Sequence, residues 1–204
     1  LFPSTALVYQ ASEEPINEDA ELDQSSTYAQ SKSIGEQVLK FHSSRHEVDY
    51  TLVRFFNVFG PLQSPNHAYA AVIPAFLASA FQGLPLPVHG DGNQFRDFTY
   101  VDTVTEVIIT ALREQLNHEK PVNLAFGGRT RLLDVVSLLE DVLGRKLLID
   151  FQPPRPGDIR QSQADPTLLR ELFPHITPAA LTTGLEQTAK WFTVWYFLSK
   201  LSYL

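Results

Sequence analysis

Ser25-Ser26-Thr27-Tyr28-Ala29-Gln30-Ser31-Lys32 and the segment it leads to, Tyr50-Thr51-Leu52-Val53-Arg54-Phe55-Phe56, decide the fold of this chain. The paired serines offer N-caps, because a serine hydroxyl accepts from the backbone N–H groups that open a helix, and a helix is predicted from there to about His42. The second segment is β-branched and aromatic, the composition of a strand. Upstream, Ala6-Leu7-Val8-Tyr9 reads as the end of an apolar strand, joined to the helix by an irregular acidic loop from Glu13 to Asp23. Strands joined through a helix pair in parallel, so the fold class is α/β with a parallel sheet.

The pattern continues outward. Asn57-Val58-Phe59-Gly60-Pro61 reads as a turn, and an apolar helix is predicted over Tyr69–Phe81, with Pro74 tolerable only in its first turn. Extended pieces are predicted at 86–89 and 97–101, a helix at about 102–116, a strand at 121–126, and a helix from Thr130 to Leu143, opened by Gly127-Gly128 and ended by Gly144. A strand at 147–151, a Pro/Gly loop at 153–158 and helices at 165–173 and 178–198 complete the reading. Parallel strands present ligands at their carboxyl ends, so the active face is predicted to collect Thr5, Asn57 and the 90–100 loop.

Composition narrows the function. The 204 residues carry 16 basic and 23 acidic side chains, a net charge of −7, which leaves no basic footprint for nucleic acid or an anionic membrane. A small anionic ligand held by a few local arginines remains open. With no cysteine there is no disulfide frame, thiolate metal site or cysteine nucleophile. The six histidines, at 42, 46, 67, 89, 118 and 175, do not cluster with carboxylates at metal-ligand spacing, and no metal is expected. The chain begins Leu1-Phe2-Pro3 and has no methionine, which reads as a fragment or processed piece. It shows no signal peptide and no apolar run of the roughly 18 residues a bilayer span needs, so a cytoplasmic protein is expected.

Tyr28 and Lys32 stand four apart on the first helix and share a face. A free phenol ionises near pH 10, and each unit of depression is worth about 1.4 kcal/mol, so a phenolic base working near neutrality calls for adjacent positive charge. The spacing also arises by chance, as in Tyr196 and Lys200, which lie in a terminal aromatic run. Context separates the two pairs: Tyr28 follows a strand ending near the hydroxyl of Thr5 and precedes one that delivers Arg54 and Asn57.

Taken together, Ser4-Thr5-Ala6-Leu7-Val8-Tyr9, Tyr28-Ala29-Gln30-Ser31-Lys32, Arg54-Phe55-Phe56-Asn57-Val58-Phe59-Gly60-Pro61 and Gly90-Asp91-Gly92-Asn93-Gln94-Phe95-Arg96-Asp97-Phe98 resemble the extended short-chain dehydrogenase/reductase family, the nucleotide-sugar epimerases and dehydratases. The resemblance implies a partial Rossmann-like parallel sheet with a smaller mixed α/β substrate-binding subdomain. Residues 1–66 would be the C-terminal part of the NAD-binding domain and 67–204 mainly the nucleotide-sugar subdomain, with 97–126 returning to the first. It implies NAD against Tyr28, Lys32 and Phe55, Lys32 bonding the nicotinamide ribose, Tyr28 as acid/base and Thr5 in the catalytic Ser/Thr position. It also implies a UDP-sugar substrate and a homodimer.

Other roles follow from the same resemblance. Arg96 and Arg155 match positions that hold the diphosphate, Asp158 one that bonds the nucleotide ribose, and His89 one that backs the uracil; Asn57 and Ala71 join the substrate set. Guanidinium forks suit phosphate oxygens, yet Arg96-Asp97 could equally be a surface pair and Arg155-Pro156-Gly157-Asp158 a turn. Ser162 falls where glucose-restricted members carry a tyrosine, and a small residue leaves room for an N-acetyl group, as in UDP-N-acetylglucosamine 4-epimerases. Dehydratases and decarboxylases place carboxylates just after the catalytic Ser/Thr; Ala6 and Leu7 cannot move protons, which favours simple inversion at the sugar's C4 through a keto sugar. No G-x-x-G-x-x-G run exists among the ten glycines, so the pyrophosphate cradle is missing. The alternatives are a catalytically dead nucleotide-sugar-binding fragment, or a related dehydratase or reductase.

Overall fold

The computed structural model describes residues 1–65, 71–155 and 159–201. β1 (Phe2–Thr5) runs through a 3₁₀ turn (Ala6–Val8) and a loop into α1 (Thr27–His46), which returns the chain to β2 (Thr51–Phe55) and β3 (Asn57–Phe59). α2 (Val72–Gln82), β4 (Leu86–His89), β5 (Phe95–Arg96), β6 (Phe98–Tyr100) and α3 (Val101–Arg113) follow. Then come β7 (His118–Leu124), β8 (Thr130–Arg131), α4 (Leu132–Leu143), β9 (Ile149–Gln152), β10 (Gln161–Ser162), α5 (Thr167–Leu172) and α6 (Leu181–Leu201). β1, β2 and β7 form a parallel sheet in that order, with Thr5 opposite Phe55 and Arg54 opposite Asn123. β3 pairs with β6 and β4 with β9, both in parallel, while β5 lies between β10 and β8. This is the α/β arrangement with parallel pairing that the alternating pattern predicts, and the partial Rossmann-like sheet that the resemblance implies.

Among the described residues two large apolar cores support the sheets, beside a small one of Val8, Tyr9 and Ile16. One gathers Phe76 and Leu77 of α2, Leu139 of α4 and Phe192 of α6 around Val88, and the other packs Val107 of α3 and Leu169 of α5 onto Val53 and Leu124. Trp191 meets Phe192 edge-on at the first core and Tyr196 packs by Phe81; Tyr203 lies outside the described residues. Gly184 of α6 lets that helix close on β3 and β6: a Cβ there would lie 2.6 Å from Phe59 Cζ and 2.9 Å from Tyr100 Cδ2. Alanine is the better helix former by about 1 kcal/mol, but overpacking against two rings costs about 1–3 kcal/mol. Gly184→Ala is therefore expected to lower stability on balance, as read by urea unfolding; a rise would show that the rings give way freely.

The serine cap is where the sequence puts it: Ser26 Oγ accepts from the Ala29 amide at 3.1 Å. The helix runs past His42 to His46, because Ser44 bonds the Phe41 carbonyl and the basic last turn, Arg45 and His46, suits the helix's negative end. Residues 6–9 are not a strand end. The strand is β1, and Thr5 Oγ1 accepts from the Leu7 amide to turn the chain, burying Val8 and turning Leu7 out. Asn57–Phe59 is a strand rather than a turn, because β6 supplies a parallel partner that no local signal reveals. The turn follows at Leu62, whose φ is +67°. The helix predicted from Tyr69 starts at Val72 in the described residues, with Pro74 in its first turn as required; Tyr69 itself lies outside them. Thr130 and Arg131 form β8 before α4 begins. Among the described residues no helix is long and apolar enough to cross a membrane.

Candidate active site

α1 buries Ala29, Ser33 and Glu36 along one stripe, and the last is a carboxylate. It is answered by Arg54 of β2, whose Nε donates to Glu36 Oε1 at 3.0 Å and whose Nη2 donates to Oε2 at 2.6 Å; Ser4 Oγ also donates to Oε1. The guanidinium lies 4.6 Å from the Tyr9 ring centre, and the Tyr9 hydroxyl donates to Asn123 Oδ1. Arg54, on the strand that delivers Asn57, thus turns into the core and does not line the cleft. It ties the helix that carries Tyr28 to the strand that ends in Thr5.

That tie places Tyr28 and Thr5 on one cleft. The cleft, of about 560 Å³, is walled by residues of β1, α1, β2, β3, α2, β4, β5 and β6. Thr5, Tyr28, Phe55, Asn57, Ala71, His89, Arg96 and Arg155 all line it, together with Ser4, Leu7, Gln63, Gln94 and Phe98. Tyr28 is half exposed there. Lys32 stands behind it, its Nζ 5.9 Å from the Tyr28 ring centre and donating to the Pro3 carbonyl at 3.1 Å. An ammonium carries three donors, and this bond uses one. Arg96 donates to the carbonyls of Phe95 and Ile159, which fixes its guanidinium at the wall. His89 Nδ1 lies 3.2 Å from the Pro153 carbonyl, and Gln94 donates to the carbonyl of His89 at 2.7 Å.

Ser162 is not among the residues lining this cleft. It lines a small neighbouring cavity with Ala6, Leu7 and Tyr9, and its Oγ accepts from Asn57 Nδ2 at 3.4 Å. Asp158 lies outside the described residues. Tyr196, the chance partner of Lys200 in spacing, sits against Phe81 and away from this cleft.

One residue was missed by sequence reasoning. Asp97 is 1% exposed, so Arg96-Asp97 is not a surface pair. Its Oδ2 accepts from the amides of Gly127 at 2.9 Å and Ala164 at 3.2 Å. Burial pushes its carboxyl up to about 6, against the backbone amides of Ala164, Gly128, Gly127 and Phe126, which favour the charged form. Strand alternation could have found it: if Arg96 points to the cleft, its neighbour points the other way.

The arrangement fits the reactive end of a nicotinamide dinucleotide. A half-exposed phenol, a hydroxyl and a flat apolar wall at Phe55 share open space, with an ammonium close behind. The glycine-rich turn that would take the pyrophosphate is not part of these residues.

Comparison with known proteins identifies the family and the fold. Residues 1–125 match the sequence model of the NAD dependent epimerase/dehydratase family. A protein of Bacillus subtilis (strain 168) named as an uncharacterised UDP-glucose epimerase is 31% identical over 185 residues, 91% of this chain and 57% of its own length. A UDP-N-acetylglucosamine 4-epimerase from Methanobrevibacter ruminantium M1, solved in complex with UDP-N-acetylmuramic acid, superposes with a TM-score of 0.88 at 32% identity over 95% of this chain and 62% of that one. A UDP-glucuronic acid 4-epimerase from Bacillus cereus, solved with UDP-glucuronic acid and NAD, gives 0.86 at 27% identity over 95% and 61%. The chain therefore spans about three fifths of the length of these relatives. Family match and shared fold converge: the chain belongs to the NAD-dependent epimerase/dehydratase family, whose cofactor is NAD.

Proposed function

We propose that this chain forms the catalytic and sugar-nucleotide part of a UDP-hexose 4-epimerase acting on UDP-N-acetylglucosamine and UDP-N-acetylgalactosamine. The observation that carries the reading is that Thr5 and Tyr28 share one cleft with Arg96 and Arg155. Tyr28, Lys32 and Phe55 are the residues that would hold the nicotinamide end of NAD. NAD, when bound, would supply the reversible hydride acceptor for the sugar's C4, through which inversion by way of a transient 4-keto sugar becomes possible. Tyr28, acting as the phenolate, takes the proton from the C4 oxygen and as the phenol gives it back, while Thr5 orients that oxygen and Lys32 would bond the nicotinamide ribose. Arg96 and Arg155 take the diphosphate, His89 backs the uracil, and Asn57 and Ala71 border the sugar; Asp158 is assigned to the nucleotide ribose. Leu7 lines the cleft where a dehydratase would carry a carboxylate, so no second proton carrier faces the sugar from that position. Exposed Ile34, Val38 and Phe41 lie on one face of α1 and support a homodimer.

The test is UDP-N-acetylglucosamine incubated with NAD and the chain, alone or joined to a glycine-rich dinucleotide half, with the anomeric proton signals followed by NMR. UDP-N-acetylgalactosamine is expected, with no net NADPH consumption; a deoxy-keto sugar or steady NADPH loss would replace the epimerase by a dehydratase or reductase. A second reading, a nucleotide-sugar-binding module without catalysis, would be excluded by turnover with this chain alone.

Ser162 supplies the specificity prediction. Its small cavity of about 20 Å³ adjoins Asn57, and a tyrosine there is expected to exclude acetamido sugars by about 10- to 100-fold while sparing UDP-glucose. Equal loss for both sugars, measured as kcat/KM, would show that position 162 does not read the second carbon.

A further inference from the structure

Asn57 and Ser162 come from strands 105 positions apart in sequence, and both are bonded to one intervening residue. The Asp97 carbonyl accepts from the Asn57 amide at 3.3 Å and from its Nδ2 at 3.4 Å, and the Asp97 amide donates to the Ser162 carbonyl at 2.9 Å. The side chain of the same residue reaches the other way. Its Oδ2 binds the amides of Gly127, just after β7, and Ala164, just after β10. Oδ1 is buried without a hydrogen-bond partner, and Gly128 approaches so closely that a Cβ there would lie 3.1 Å from it. A buried carboxylate that grips two loops while its backbone holds Asn57 of the cleft and Ser162 of the small neighbouring cavity is a clamp. Its grip depends on its charge, since a carboxylate accepts these amides more strongly than a neutral acid does.

We infer that Asp97 is a positioning residue: its carboxylate, anchored to Gly127 and Ala164, sets where Asn57 and Ser162 stand beside the sugar. The last clause rests on the nucleotide-sugar reading above; the anchoring itself does not. Asp97 touches no substrate and moves no proton in turnover. The charged groups on the packed elements are engaged elsewhere. Arg96 bonds Phe95 and Ile159, Arg129 stacks over Phe95, and Arg131 pairs with Asp134. Asp165 accepts from Thr167, Arg160 faces Asp91, and Arg170 donates to the Phe126 carbonyl; β3 contributes no charge at this point. Asp97 is thus the group here whose own protonation alters the grip, and its midpoint, about 6, lies within reach of ordinary buffers.

The test is amide NMR of the full chain between about pH 8 and about pH 5. The Gly127 and Ala164 amides are expected to titrate together with a midpoint near 6, with the Asn57 side-chain amide and the Ser162 amide moving at the same midpoint. Asp97→Asn is expected to abolish all four titrations. Loop amides that titrate while Asn57 and Ser162 stay still would overturn the inference, and so would four signals that persist in Asp97→Asn; the wild-type titration decides even if that variant fails to fold. A second arm measures binding of UDP and of UDP-N-acetylglucosamine at both ends of the pH range. The affinity for the sugar nucleotide is expected to fall about tenfold at the acid end relative to UDP, whereas equal affinities throughout would contradict positioning at the sugar. If the wild-type chain binds neither compound, the nucleotide-sugar reading fails while the amide titration still judges the clamp.

Discussion

Tyr28→Phe is expected to lower 4-epimerase turnover by about 100- to 10,000-fold, the usual worth of a positioned acid/base, while leaving UDP-sugar affinity within about twofold. The split follows from geometry. Tyr28 is a half-exposed wall residue whose ring makes one side of the cleft, so removing only its oxygen leaves the wall's shape in place. The diphosphate end, assigned to Arg96 and Arg155, is untouched. Single-turnover kinetics together with calorimetric titration of the UDP-sugar measures both quantities. A rate unchanged within about twofold would remove Tyr28 from the chemistry; affinity and rate lost together would make it a binding residue only.

Breaking the ion pair beneath the helix that carries Tyr28 is expected to have the largest effect on stability. Arg54 and Glu36 have side chains 3% and 5% exposed, so either one left alone is a buried, unanswered charge. Removing one partner of such a pair costs about 3–5 kcal/mol, whereas replacing both with apolar groups of similar volume is often close to neutral. Glu36→Ala is therefore expected to lower the unfolding free energy by about 3–5 kcal/mol in urea, and Glu36→Met with Arg54→Met to recover most of it. A loss under about 1 kcal/mol for the single variant would show that water reaches Arg54. Since the pair joins α1 to β2, and Ser4 bonds the same carboxylate beside Thr5, the single variant should also disturb the spacing of Tyr28 and Thr5.

What could be read from the sequence was what local geometry determines. The four-residue spacing of Tyr28 and Lys32 defines a helix face whatever surrounds it, and the Ser26 cap needs only its own helix. Thr5, Asn57, Arg96 and Arg155 were legible as members of motifs in a set order, and the structure brings all four to one cleft. Features that depend on distant partners were not legible. Asn57–Phe59 looks like a turn until β6 arrives beside it, and residues 6–9 look like a strand until Thr5 turns the chain. Arg54 stands in a motif beside true cleft residues, yet Glu36, 18 positions earlier, draws it away. Asp97 is silent for the same reason: its side-chain partners lie 30 and 67 positions downstream.

The central claim is that the C4 hydroxyl of a UDP-hexose faces the Tyr28 phenol within this cleft. A crystal structure of the chain with UDP-N-acetylglucosamine measures it directly, as the separation of the Tyr28 hydroxyl oxygen from the sugar's O4. The account predicts a hydrogen-bond distance of about 2.6–3.2 Å, with the diphosphate against Arg96 and Arg155. A nucleotide sugar seated outside the cleft, or within it with O4 turned away from Tyr28, would contradict it.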